Sequence, residues 1–319
     1  MIRNKNNPIL TRKNIPDIED QVQDVTSVFN PGAIKFKDQY LLLLRVQKRS
    51  RETITMVAKS DDGVNFEVEN KIVEFKGIKK VEGTIYHCYD PRITQIDDQY
   101  YVMFAMDMEG KCGLGLARTE DFEDFYFMGI VSEGDVRNGV LFPEKIDGQY
   151  LRLERPNKVA LDGGPTSGSA IHIASSQDLL KWEDQGEVMS GRPHYWDERI
   201  GSGPPPVKTR QGWLHLYHGI AEHFGAASIY QGGVTLLDLN DPSKLIARSN
   251  NNILEPRKIW ELAGQVPNVV FPSGMIVEEY DRDGFAKLDS KVYIYYGAAD
   301  TVIGLAESSI QQLIDHTKQ

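Results

Sequence analysis

The stretch "YHCYDPRIT" (86–94) sets a single carboxylate, Asp90, beside Tyr89 and ahead of a proline and an arginine. Asp-Pro starts turns, because proline fixes its own φ and restricts the residue before it. Asp90 is therefore either turn chemistry or an acid held where a turn can present it. A second carboxylate, Asp300 in "YYGAADT", has the same two readings. Two carboxylates facing one space would suggest cleavage of a glycosidic bond, one as acid and the other as base or nucleophile. The basic residues form a second group: Arg137 and Asn138 in "VRNGVLFPEK", Arg152 and Arg155 in "LRLERPN", Arg199 and Lys208 in "DERIGSGPPPVK", and His218 in "LYHG". In an extended strand alternate residues share a face, so Arg155 points the same way as Leu153 while Arg152 and Glu154 point the other way. An arginine on an apolar face is a structural ion-pair partner or an anion ligand. Several arginines with Asn and His donors form a cradle for phosphate. No Gly-rich nucleotide fingerprint is present, so the phosphate expected here is not part of a nucleotide.

These residues need elements to bring them together, and the chain repeats itself. Five segments share one outline, a turn, a short apolar strand, a polar turn and an aromatic-rich strand: "NPGAIKFKDQYLLLLR" (30–45), "DPRITQIDDQYYVMFA" (90–105), "FPEKIDGQYLRLER" (142–155), "PPVKTRQGWLHLYHG" (205–219) and 271–297. Pro31, Pro91, Pro143, Pro206 and Pro272 mark their starts. "SDDGVNF" (60–66), "TEDFEDF" (119–125) and "SQDLLKW" (176–182), with "LNDPSKL" (239–245) as a weaker copy, add a tight turn between a third and a fourth strand. Four strands in each of five units predict an all-β fold, a five-bladed β-propeller forming one domain over 1–319. The one helical candidate of any length, "ESSIQQLIDHTK" (307–318), is expected to close the surface. In a propeller the inner strands line a central funnel, and the candidate residues lie at or near their ends. His215 reads as a packing histidine, and no spaced set of ligands suggests a metal. Tyr86, Tyr89, Trp196, Tyr217, Tyr295 and Tyr296 are candidate platforms for sugar rings, although core packing accounts for them equally well.

The composition sets the outer bounds. The 319 residues are 40% hydrophobic and 26% charged with a formal net charge of −10, which argues against a nucleic-acid or anionic-membrane surface. Two cysteines, Cys88 and Cys112, are too few for a disulfide framework and are expected as reduced thiols. No signal-like segment and no run of about 18 apolar residues occurs, so a cytoplasmic location without a membrane partner is expected.

Taken in order, "YDPRIT", "RNGVLFPEKIDGQY", "RIGSGPPPVKT", "QGWLHLYHG", "VPNVVFPSGM" and "YYGAADT" resemble glycoside hydrolase family 130, the β-mannoside phosphorylases, from residue 29 to residue 308. The resemblance implies an enzyme that cleaves a terminal β-mannosidic bond with inversion, using inorganic phosphate as co-substrate, with no cofactor and no metal. The product would be α-mannose 1-phosphate. It makes Asp90 the general acid, acting through the mannose 3-hydroxyl. It assigns phosphate to Arg137, Asn138, Arg155, Arg199 and His218, and sugar contacts to Asn30, Arg45, Arg51, Tyr89 and Asp300. It also implies a homo-oligomer. Two positions depart from the family pattern: Gln47 stands where the β-1,4-mannoside enzymes carry an acid, and Arg199 stands where some members have lysine. The β-1,4 and β-1,2 linkages both stay open, and loops 70–86 and 157–168 are expected at the funnel rim, where they would set the acceptor. The alternatives are an inverting β-mannoside hydrolase, which needs a second carboxylate to activate water, and a non-catalytic sugar-binding propeller, in which aromatic platforms would dominate.

Overall fold

The computed structural model describes residues 1–157, 168–222 and 227–318. Its strands begin with the hairpins read from the repeats. In blade 1, Ser27–Phe36 pairs with Gln39–Gln47, followed by Thr53–Ser60 and Glu67–Ile72, all antiparallel. The turn before the outer strand forms because side chains capture its backbone donors. Ser60 Oγ accepts from the Gly63 amide at 3.0 Å, and Asp62 Oδ1 accepts from the Val64 and Asn65 amides at 2.8 Å. Thr119 with Asp121 and Ser176 with Asp178 build the same turn in blades 2 and 3. The third residue after each hydroxyl, Gly63, Phe122 or Leu179, takes positive φ.

Five sheets of this kind are arranged as a five-bladed propeller. The inner strands are Ser27–Phe36, Ile85–Ile96, Val136–Leu141, Arg199–Ser202 with Val207–Thr209, and Val270–Val277. Each sheet is buried on both faces, which is why strands such as "YLLLLR" are apolar without alternation. Leu42 and Leu44 pack against Tyr293 and Leu305 of blade 5, while Leu41 and Leu43 pack against Val102 and Phe104 of blade 2. The other apolar clusters likewise fill the spaces between neighbouring blades.

Two expectations are corrected. The five prolines are not equivalent. In blades 1, 2 and 5 the register jumps at Pro31, Pro91 and Pro272, but in blade 3 the jump falls between Arg137 and Val140. The residue of blade 3 that matches Asn30 and Asp90 is thus Asn138, and Pro143 lies beyond the strand. Pro206 sits in the break between Ser202 and Val207. Blades 1, 2 and 3 share an Asn or Asp in the left-handed region, with φ of 46° at Asn30, 55° at Asp90 and 53° at Asn138, followed by proline or glycine. These two side chains tolerate that conformation best among non-glycine residues.

The ring is also closed differently from expectation. The N-terminal strand Ile2–Arg3 is the outer strand of blade 5, with Ile2 opposite Glu307 and Arg3 opposite Ala306. The C-terminal helix Ile310–His316 instead buries Ile310, Leu313 and Ile314 in the cluster between blades 4 and 5. Arg3 fixes the closing strand to a fully buried carboxylate: its Nε and Nη2 donate to Glu261 at 2.7 and 3.0 Å. Removing one partner of a buried ion pair leaves an uncompensated charge. Glu261 keeps donors in Tyr296 and the amides of Arg257 and Lys258, which limits the damage. Arg3→Ala is expected to cost about 2–4 kcal/mol, seen as a lower melting temperature with unchanged turnover well below the melt.

Candidate active site

At one mouth of the axis the inner strands surround a cavity of about 330 Å³. Its wall includes Asn30, Arg45, Tyr89, Asp90, Arg137, Asn138, Arg155, His218 and Asp300. Residues separated by up to 270 positions meet there because the blades converge on the axis, with Asn30, Asp90 and Asn138 at the left-handed bulges of three inner strands.

The carboxylate side is built around Asp90. Its Oδ1 accepts from Asn30 Nδ2 at 3.0 Å and from Arg45 Nη1 at 2.9 Å. Arg45 is held between the rings of Phe29 and Tyr89, 4.3 and 4.6 Å from their centroids, so Asp90 is oriented by a planar group that is itself wedged. Asp300, at φ 48°, completes this side. Burial and the neighbouring Asp90 push its carboxyl up to about 6, against the opposing pull of Arg45.

The cationic side is built on blades 3 and 4. Alternation along Tyr150–Pro156 holds as predicted: Arg152 and Glu154 pair at 2.5 Å, Leu153 enters the core, and Arg155 reaches the cavity. Arg155 is buried, its Nε has no partner, and it forms no ion pair among the described residues. Burial pushes its pKa down to about 10, with Arg137 and Arg199 acting in the same direction against Tyr230. His218 is held well below its ordinary pKa by burial and by Arg155 and Arg92, so its ring is neutral. Its position requires a glycine at 201, where a Cβ would lie 2.5 Å from His218 Cε1 and 2.6 Å from Asn138 Oδ1. A wall with several cations, Arg155 among them buried without a carboxylate partner, suits an anion of the size of phosphate.

Two sequence candidates lie off the wall. Arg51 is exposed in the turn after Gln39–Gln47, its amide bonded to the Lys48 carbonyl. Arg199 pairs with Glu222 and acts on Arg155 through charge. Gln47 is also outside the cavity, its Nε2 directed at the Arg51 carbonyl. Of the aromatic candidates only Tyr89 lines the cavity. Tyr217, Tyr295 and Tyr296 are fully buried and bond to Asp197, Gly63 and Glu261, Trp196 donates to the Asn250 carbonyl, and Tyr86 is exposed. His215 is a packing histidine, bonded to Thr235 and pushed down to about 3 by burial. Lys208 pairs with Glu144. Cys88 and Cys112 are free thiols, and no cluster suited to a metal occurs among the described residues. Of the expected rim loops, 70–86 carries Phe75–Lys76 as an extra edge of blade 2, while 158–167 lies outside the described residues.

The wall also holds residues that sequence reasoning missed. Asp107 accepts from the Tyr89 hydroxyl at 2.8 Å and lies 4.0 Å from Arg137. It is the one carboxylate in the apolar strand "QYYVMFAMDM", two residues from the cavity-lining Ala105, and that isolation was the available signal. Tyr230 and Phe271 stand beside His218, with ring centroids 6.1 and 4.3 Å away. Nothing in their local sequence separates them from core aromatics.

The fold and the two-sided funnel define a five-bladed propeller whose axial cavity sets carboxylates against cations. The profile of glycoside hydrolase family 130, described as β-1,4-mannooligosaccharide phosphorylase, matches residues 2–319, and the chain belongs to this family. It is 31% identical to the β-1,4-mannooligosaccharide phosphorylase of Ruminococcus albus, over 98% of this chain and 89% of that protein. It is 37% identical to a 1,2-β-oligomannan phosphorylase of a Thermoanaerobacter species, over 78% and 76% of the two chains. The solved β-1,2-mannobiose phosphorylase of Listeria innocua, in complex with β-1,2-mannobiose, superposes with a TM-score of 0.86 at 27% identity, over 99% of both chains.

Because the Asp300 pKa is raised in the fold, its protonated form adds stability that is complete below the ordinary carboxylate value and lost as pH rises through about 6. Asp300→Asn is therefore expected to melt higher than wild type at pH 8, by up to about 2–3 kcal/mol. The gain should shrink below pH 6 and vanish near pH 4. Melting curves across that range check it, and a constant difference would rule out the buried charge as its source.

Proposed function

We infer that the chain catalyses inverting phosphorolysis of the terminal β-mannosidic bond of a β-mannoside or manno-oligosaccharide, releasing α-mannose 1-phosphate and the shortened acceptor. The observation that carries this reading is Arg155, a buried guanidinium on the cavity wall with no carboxylate partner among the described residues. A hydrolase attacking with neutral water would have no use for it. In this reading Arg155, Arg137, Asn138 and His218 hold inorganic phosphate, with Arg199 reinforcing the field from behind. Asn30, Arg45, Tyr89 and Asp300 hold the mannosyl unit.

The bond changes balance as follows. A phosphate oxygen forms a bond to the anomeric carbon on the face opposite the glycosidic oxygen, and the carbon–oxygen bond to the acceptor breaks with its electron pair. The proton required by that leaving oxygen comes from Asp90, passed through the mannose 3-hydroxyl. Phosphate is already charged, so no carboxylate is needed to activate the nucleophile. The reaction is proposed to use no cofactor and to run in the cytoplasm in a homo-oligomer, and the two free thiols support that compartment.

Mannobiose cleavage is expected to rise saturably with inorganic phosphate and to yield mannose 1-phosphate. Equal rates in phosphate-free buffer, with free mannose as the only donor product, would overturn the assignment. Arg155→Ala should raise the apparent KM for phosphate at least tenfold, the loss of one charge-assisted contact, while the KM for mannobiose changes little. Asp90→Asn should lower kcat by about 10²–10⁴-fold with little change in melting temperature. A turn role would give the reverse pattern.

A further inference from the structure

Arg92, the third residue of the Asp-Pro-Arg motif, has no part in the reading above, yet it occupies the floor of the funnel. It lies on the inner strand Ile85–Ile96 of blade 2, is 2% exposed and contributes to the cavity wall. Its Nη1 donates to the carbonyls of Asp90 at 3.0 Å and Pro91 at 3.3 Å, so it grips both sides of the peptide that follows the acid. Its Nε crosses to blade 4 and donates to the Gly203 carbonyl at 2.7 Å. Its Nη2 has no partner, and no carboxylate pairs with it among the described residues. Burial pushes its pKa down to about 10, which leaves it charged at neutral pH.

A buried, unpaired guanidinium is a poor stabilising device, since apolar side chains of similar volume serve stability better. This one spends its donors on the backbone of a residue in the left-handed region, a conformation that persists only where its surroundings impose it. We propose that Arg92 is a positioning residue for Asp90: by holding the carbonyls of Asp90 and Pro91 and anchoring them to Gly203 across the axis, it fixes the turn that aims the Asp90 carboxylate at the mannose 3-hydroxyl, through which its proton passes. This rests on Asp90 being the proton donor. Lysine at 92 keeps the charge but cannot reach three carbonyls from a planar fork.

The test is a double-mutant cycle on turnover of whichever mannobiose the wild type phosphorolyses fastest, with folding checked by thermal melting. Arg92→Lys is expected to lower kcat by about 10–100-fold, the scale of a misplacement near 1 Å, with the phosphate KM within about threefold of wild type. The decisive measurement is Asp90→Asn combined with Arg92→Lys. With no acid left to position, the double variant should turn over within about twofold of Asp90→Asn alone. Losses that multiply, or a loss confined to the phosphate KM, would overturn the positioning role. If Arg92→Lys does not fold, Arg92→Gln, which keeps an N–H donor for Gly203 without the charge, enters the same cycle with the same expectations. Near-normal turnover of Asp90→Asn would remove Asp90 from the chemistry and the inference with it. A slow Asp90→Asn with multiplying losses removes the inference alone.

Discussion

Everything in this molecule depends on how the inner strands meet at the axis. They approach closely: a Cβ on Gly32 would lie 2.7 Å from the Pro91 carbonyl oxygen, and the Ser273 hydroxyl donates to the Pro31 carbonyl at 2.8 Å. Register jumps kink the inner strands of blades 1, 2 and 5 there, and the Pro31 carbonyl, skipped in the blade 1 ladder, accepts from blade 5. The kinks of blades 1 and 2, with that of blade 3, place Asn30, Asp90 and Asn138 in the wall of the funnel. Floor and wall thus have a common cause.

The cavity above that floor is electrically divided. Asp90 and Asp300 stand with Arg45 on one side, and Arg155, Arg137 and the neutral His218 stand on the other. Low dielectric strengthens the fields of both sides, so each charge is costly to bury and effective once a ligand arrives. The raised Asp300 pKa and the lowered Arg155 pKa are two signs of that cost. A dianion and a sugar hydroxyl network would discharge both together.

Much of this was legible in the chain. The hairpins announced themselves through polar turns between apolar strands, and the outer turns through a hydroxyl followed by an aspartate, because those patterns satisfy backbone donors locally. Asp90, Arg155 and Asn138 stood out as polar groups at strand ends or on apolar faces. What escaped notice depended on long-range packing. Pro143 looked equivalent to Pro91 because proline marks a turn without saying where the ladder slips. Tyr230 and Phe271 were indistinguishable from core aromatics, since only the curvature of the ring decides which inner positions face the funnel. Arg51 lies off the wall in the turn after its strand, and Arg199, at the start of an inner strand, is drawn to Glu222. The closing strand Ile2–Arg3 was invisible, because two residues carry no periodicity.

That closing strand also bears on the order of assembly. Blades 1 to 4 are each made from one continuous stretch of chain, so their sheets form from partners within a few dozen residues of one another. Blade 5 joins residues 2 and 3 to residues 306 and 307, and this pairing spans nearly the whole sequence. Loop-closure entropy opposes that contact until the intervening blades have shortened the distance. The clasp therefore forms after the ring it fastens, and during synthesis Ile2 and Arg3 wait unpaired until residues 306 and 307 have left the ribosome.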